Sequence, residues 1–208
     1  MSAVPHPSSF AEDDRIYTFE EFIAMNFEGR AELIEGKIVE MGWNNLTHTG
    51  LGAWLSRILG NWAEETNWGL IFGADAGVRT KKNPDTTRGA DIACVSFNRY
   101  DDCAVVGKVF EKGPELLVEI TSPSNTWDDL QTKIFEYFAV GTDEVWVISP
   151  DLKIVTVYET PTASLTFSAD NKDVVKSKNL PGFELSLEEM AAKLEQITKS
   201  AENDSSES

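Results

Sequence analysis

Glu119 lies inside the apolar run Leu116-Leu117-Val118-Glu119-Ile120, which has the length and composition of a buried strand. A carboxylate in such a place is costly unless it is paired, protonated or bound to a cation. A second run, Ala90-Asp91-Ile92-Ala93-Cys94-Val95, also carries one acid among apolar residues. A polar turn follows Glu119, and then a segment with helical spacing that carries Asp129, Lys133 and Tyr137 at i, i+4 and i+8. Two strand-borne carboxylates plus a lysine are the ingredients of a magnesium-dependent phosphodiester-cleaving site. Mg²⁺ is held by one or two carboxylates together with water and phosphate oxygens, and a lysine stabilises the charge that develops on phosphorus. The plainer reading of Asp129 and Lys133 is an ordinary surface ion pair.

Other residues join this set with a structural alternative beside each. His48 precedes an amphipathic helix by one turn, on the side of Leu51 and Leu55, where it either touches a scissile phosphate or activates water, or else packs on the core. Arg79, Lys81, Lys82 and Arg88 fall within ten residues just before Asp91, as a solvated loop or as contacts to backbone phosphates. Only one other histidine exists, His6, so a multi-histidine zinc site is excluded and a Ser-His-Asp arrangement is weakened. No glycine-rich phosphate loop supports nucleotide chemistry. A two-carboxylate glycoside hydrolase is disfavoured, because few aromatic residues can be assigned to a sugar-binding surface.

The elements that must position these residues follow from periodicity. Thr18 with Glu21 forms a capping box for a short helix. Glu35-Gly36 joins strands Glu32-Leu33-Ile34 and Lys37-Ile38-Val39 in a hairpin. Leu51, Trp54, Leu55, Ile58, Leu59 and Trp62 mark a helix, and strands follow at about 70–79, 88–95 and 114–121. If the last two strands are neighbours, Asp91 and Glu119 converge where they begin to diverge. Ser124 or Asn125 caps a helix over 126–139, with Trp127, Leu130, Ile134 and Phe138 as its apolar face, ended by Gly141. Strands near 144–148, 154–158, 164–168 and 173–177 and a helix over 186–198 complete a mixed α/β or α+β domain around one central sheet.

The 208 residues suit a single domain over 15–198, with disordered tails at 1–14 and 199–208. No apolar stretch is long enough for a membrane span, no secretory signal is visible, and two cysteines are too few for a disulfide framework, so a cytoplasmic protein is expected. The formal net charge of −17 is awkward for gripping a polyanion, although six of the acids lie in residues 11–28 and six more in 186–208.

The segment from Gly113 to Asn125, with Asp129, Lys133, Tyr137, Gly141 and Glu144-Val145-Trp146, resembles the Uma-two-type restriction endonuclease family of the PD-(D/E)XK nuclease superfamily. So do Ala31 to Val39, His48 and Arg88-Gly89-Ala90-Asp91-Ile92-Ala93, and the likeness runs from about Tyr17 to Leu187. The resemblance implies a central mixed β-sheet flanked by helices and cleavage of DNA with Mg²⁺ or Mn²⁺. By position it makes Asp91 and Glu119 the metal ligands and Glu32 an assisting acid. Thr121 stands where the superfamily motif has lysine, and Lys133 is the natural substitute. Ala90 replaces a proline of backbone role only. Cutting both strands of a duplex suggests a homodimer. The alternative is a catalytically degenerate nuclease fold serving as a binding or regulatory module, motivated by Thr121 and the acidic charge.

Overall fold

A computed structural model describes residues 15–101, 105–106, 109–122 and 125–203. The elements, in order, are α1 (Phe19–Ala24), β1 (Arg30–Ile34), β2 (Lys37–Met41), α2 (Leu46–Thr66), β3 (Gly69–Lys81), β4 (Thr86–Ser96), α3 (Phe97–Tyr100), β5 (Val105–Val106) and β6 (Val109–Phe110). They continue with β7 (Leu116–Ile120), α4 (Trp127–Ala139), β8 (Glu144–Ser149), β9 (Ile154–Thr160), β10 (Ala163–Ser168), β11 (Val174–Lys176), β12 (Glu184–Ser186) and α5 (Leu187–Asn203). The expected tails at 1–14 and 204–208 lie outside the described residues, but α5 continues to Asn203 rather than ending near Thr198.

One sheet organises the chain, in the order β10-β9-β8-β7-β4-β3-β6-β5, with the β1–β2 hairpin attached to β4 through Leu33 and Thr87. β7 and β8 run parallel, as do β3 and β6, and the other strand pairs among the described residues are antiparallel, so the sheet is mixed. The β1–β2 turn works because Glu35 and Gly36 both take left-handed φ, at 49° and 77°, as a two-residue hairpin turn of this type requires.

Helices cover both faces. Leu51, Leu55 and Leu59 of α2 pack with Leu187, Met190 and Leu194 of α5 on Ile92, Leu116, Val118 and Ile148. On the opposite face Leu130, Ile134 and Tyr137 of α4 pack on Ala93, Leu117 and Val145. This alternation along β4 and β7 is the period-two pattern of strands buried on both sides. Two expectations need correction. Trp127, expected on the apolar face of α4, is 64% exposed, and Tyr137 is buried instead. Tyr137 turns inward, where its hydroxyl finds a buried acceptor in Glu119, and Trp127 lies in the first turn of the helix. The cap of α4 is Thr126, whose side chain accepts from the Asp129 N–H, rather than Ser124 or Asn125.

Two glycines differ in what they permit. A Cβ on Gly113 would lie 2.2 Å from the Thr142 backbone nitrogen, whereas Gly60, within α2, faces open space. Urea denaturation should therefore show Gly60→Ala more stable than wild type by up to about 1 kcal/mol. Gly113→Ala should lose about 1–3 kcal/mol. Equal midpoints for the two variants would contradict this packing.

Candidate active site

β4 and β7 pair as Cys94–Leu116, Ala93–Leu117 and Ile92–Val118. One more step in that register sets Asp91 opposite Glu119, and there the ladder stops. The Asp91 carboxylate takes over, accepting the Ile120 N–H through Oδ2 at 2.7 Å. The same oxygen lies 3.1 Å from His48 Nε2. Its other oxygen has no hydrogen-bond partner among the described residues. Asp91 thus fills the gap between diverging strands, with both carboxylates at one place in the sheet.

Glu119 is buried and accepts the Tyr137 hydroxyl at 2.5 Å, while its second oxygen lies 3.5 Å from Lys133 Nζ. Lys133 also pairs with Glu32 at 3.0 Å and donates to the Gly89 carbonyl at 3.4 Å. The ion pairs of Lys133 among the described residues are with Glu32 and Glu119, in place of the plain surface pair with Asp129. Glu32 accepts the Gly89 N–H at 3.0 Å and pairs with Arg88 at 3.1 Å. Arg88, buried itself, closes the network on Glu136 of α4 at 2.7 Å.

Charges therefore alternate from sheet to helix: Glu119, Lys133, Glu32, Arg88, Glu136. Burial pushes the Glu119 carboxyl up to about 7, with the Asp91 charge adding to it and Lys133 and Tyr137 opposing. Burial also resists charge on Lys133, but Glu119 and Glu32 outweigh it and hold the ammonium protonated well above the ordinary range. For Glu32, burial is outweighed by Lys133, the Gly89 N–H and Arg88, so its carboxyl sits below the usual value. Lys133 is consequently an electrostatic donor and no proton acceptor at neutral pH.

The structure gathers Asp91, Glu119, Lys133, Glu32 and His48, although they open on two hollows. A groove of about 740 Å³ is lined by Asp91 and His48, and a smaller one of about 110 Å³ by Glu119, Lys133, Glu32 and Arg88, with Met41 bordering both. His48 lies inside the first turn of α2 rather than before it, because Asn45 caps the helix and accepts the His48 N–H at 2.8 Å. The basic cluster is engaged internally. Arg79 pairs with Asp85 and Glu111 and stacks over Phe19, Lys82 pairs with Glu111, and Lys81 pairs with Glu35. Thr121, at the motif lysine position, donates its hydroxyl to the Ile148 carbonyl.

Three participants escaped sequence reasoning. Glu136 holds Arg88, and the one available signal was its spacing of three from Lys133. Tyr137 was visible in the polar stripe of α4 but not as the partner of Glu119. Asp75 lines the larger groove beside Arg30, with which it pairs. Burial raises its carboxyl above the ordinary value, against Arg30 and with help from Asp91. It sits in a β-bulge between Gly73 and Ala76, which sequence periodicity does not reveal.

A divalent cation fits this donor set on the chemistry. Two neighbouring carboxylates, one driven towards protonation partly by the other, are what a hard cation relieves. Among the described residues no group of three or more His, Cys, Asp or Glu could hold a metal alone.

A mixed sheet between helices, with an aspartate and a glutamate on adjacent central strands and a lysine beside them, defines a restriction-endonuclease-like fold. The Uma2 family, described as "Putative restriction endonuclease", matches residues 18–188, and the chain belongs to that family. The crystal structure of a putative nuclease belonging to DUF820 from Anabaena variabilis shares the fold, with a TM-score of 0.73 at 20% identity over 85% of this chain and 98% of that one. No curated protein matches. Among the described residues, no helix is long and apolar enough to cross a membrane.

The raised Glu119 pKa has a consequence for stability. Its folded value of about 7 lies above the ordinary carboxyl value of 4.5, so its protonated form favours folding. That contribution is complete below about pH 4.5 and is lost as pH rises towards 7. In metal-free buffer Glu119→Gln should be more stable than wild type at pH 8, by up to about 3 kcal/mol. The difference should shrink to under about 1 kcal/mol at pH 5. Thermal melts showing a pH-independent difference would contradict it.

Proposed function

We propose that the chain is a divalent-cation-dependent endonuclease that hydrolyses phosphodiester bonds in DNA. Asp91 and Glu119 would hold Mg²⁺ or Mn²⁺. When bound, the cation polarises the phosphate and lowers the pKa of water. The protein's own groups do the rest. Lys133, kept protonated by Glu32 and Glu119, offers a fixed positive charge to the phosphorane-like transition state. Glu32 is a positioning residue for Lys133, and the Ile120 N–H and His48 position Asp91. Water adds to phosphorus, one P–O ester bond breaks, and the leaving oxygen takes up a proton. One observation carries this reading: Lys133 reaches from α4 to within 3.5 Å of Glu119, supplying the cation that Thr121 cannot.

Of the basic cluster, Lys81 and Lys82 suit phosphate contacts, since their side chains are 44% and 62% exposed, whereas Arg79 at 12% and Arg88 at 3% serve internal pairing. Duplex cleavage would require two such sites, as a homodimer provides, in a cytoplasmic setting. The second reading, a degenerate binding or regulatory module, is favoured by Thr121 and by the commitment of Lys133 and Arg88 to carboxylates.

Incubation with supercoiled, linear and single-stranded DNA plus Mg²⁺ or Mn²⁺ separates the two. The nuclease reading expects cleavage by wild type, with a loss of at least about 100-fold in Glu119→Ala and Lys133→Met. DNA left intact by wild type with every substrate and metal supports the module instead.

A further inference from the structure

Trp43 is fully exposed, at 100%, and it stands at the rim of the 740 Å³ groove that Asp91 and His48 line. A tryptophan held wholly in water gains nothing for the fold, and its indole presents both faces to a partner. The groove beside it has a floor of small residues. Gly52 and Ala53 come from α2, Gly73 and Ala74 from β3, and a Cβ on Gly73 would lie 2.9 Å from the Ser56 hydroxyl. That close approach of helix to strand leaves a hollow with largely apolar walls and a volume within the range of small-molecule sites.

The groove's charges oppose a phosphate. Glu28, Asp75 and Asp91 line it, and Arg30, the one Lys or Arg among its lining residues, is paired with Asp75. With a chain charge of −17, affinity from backbone neutralisation is poor. A flat, uncharged, polarisable group suits the place far better. A nucleobase is that group, and the phosphate attached to it would be admitted at Asp91 by the cation proposed there, which offsets the acid's charge.

The geometry points to an unpaired nucleobase as the occupant, stacked on Trp43 and seated in this groove, so that the enzyme prefers single-stranded or locally unpaired nucleic acid to intact duplex. The inference rests on the nuclease reading for its substrate class. Base stacking on an aromatic side chain tolerates any base and contributes most where no complementary strand competes. It also makes binding depend weakly on salt, because few counterions are released.

The test is fluorescence anisotropy in EDTA with a labelled single-stranded DNA oligonucleotide, the same sequence as a duplex, and a single strand carrying abasic positions. Wild type should bind the single strand more tightly than the duplex. Trp43→Ala should weaken single-strand binding about 5- to 100-fold, and Trp43→Phe should keep most of it. The abasic strand should lose the difference between wild type and Trp43→Ala. Equal affinity of wild type and Trp43→Ala for the single strand overturns the inference, as does a steep salt dependence unaffected by the substitution. Light scattering on both proteins covers another occupant: if Trp43→Ala converts a dimer to a monomer, the groove is covered by a second copy and the inference falls. The nuclease reading is judged apart, by cleavage in Mg²⁺. Cleavage with Trp43-independent binding sinks only the stacking platform, and Trp43-dependent binding without cleavage by any metal supports the platform and sinks only the nuclease reading.

Discussion

A buried glutamate whose ionisation is costly governs this molecule. Glu119 sits in the central strand β7, near Asp91 and inside a low-dielectric sheet, where ionisation of both acids is costly. Lys133 offsets that cost, but a buried lysine is itself expensive, so Glu32 must be there to hold it. Glu32 in turn is matched by Arg88, and Arg88 by Glu136. Each charge explains the next. The chain of pairs also ties α4 to β4 and β1, so the site and the packing of one helix layer are a single arrangement.

Such an arrangement does not maximise stability. An apolar residue at position 119 would fit a strand whose other members are all buried hydrocarbon, and replacing buried ion pairs by hydrocarbon is often stabilising. What the carboxylates provide is a pre-formed place for positive charge, supported by rigid elements on every side. Asp91 is fixed by a backbone N–H, Lys133 by a helix, and Glu32 by a paired hairpin strand. Precision of that kind is what phosphoryl chemistry draws on.

Much of the fold was legible because its signals are local. The periodicity of Leu51 to Trp62 marks α2, and Glu35-Gly36 fixes the β1–β2 turn through backbone conformation alone. The adjacency of Asp91 and Glu119 was readable only as a condition on strand pairing, since register between strands remote in sequence depends on the whole sheet. The inward turn of Tyr137 and the exposure of Trp127 lay beyond periodicity. A helical stripe shows which residues share a face, not which of two aromatic residues finds a hydrogen-bond partner. The pairing of Arg88 with Glu32 and Glu136 was hidden for a related reason: a run of basic residues looks solvated until the acids that meet it are placed in space. Asp75 depends on a bulge, which breaks the very alternation used to read strands.

The proposed chemistry requires that Asp91 and Glu119 together receive a divalent cation. Calorimetric titration of Mn²⁺ into wild type and Asp91→Asn at pH 7.5 measures this directly. One saturable site is expected in wild type, with proton release as Glu119 ionises, and its loss in the variant. Identical heats from the two proteins, or a site that survives the substitution, would contradict it.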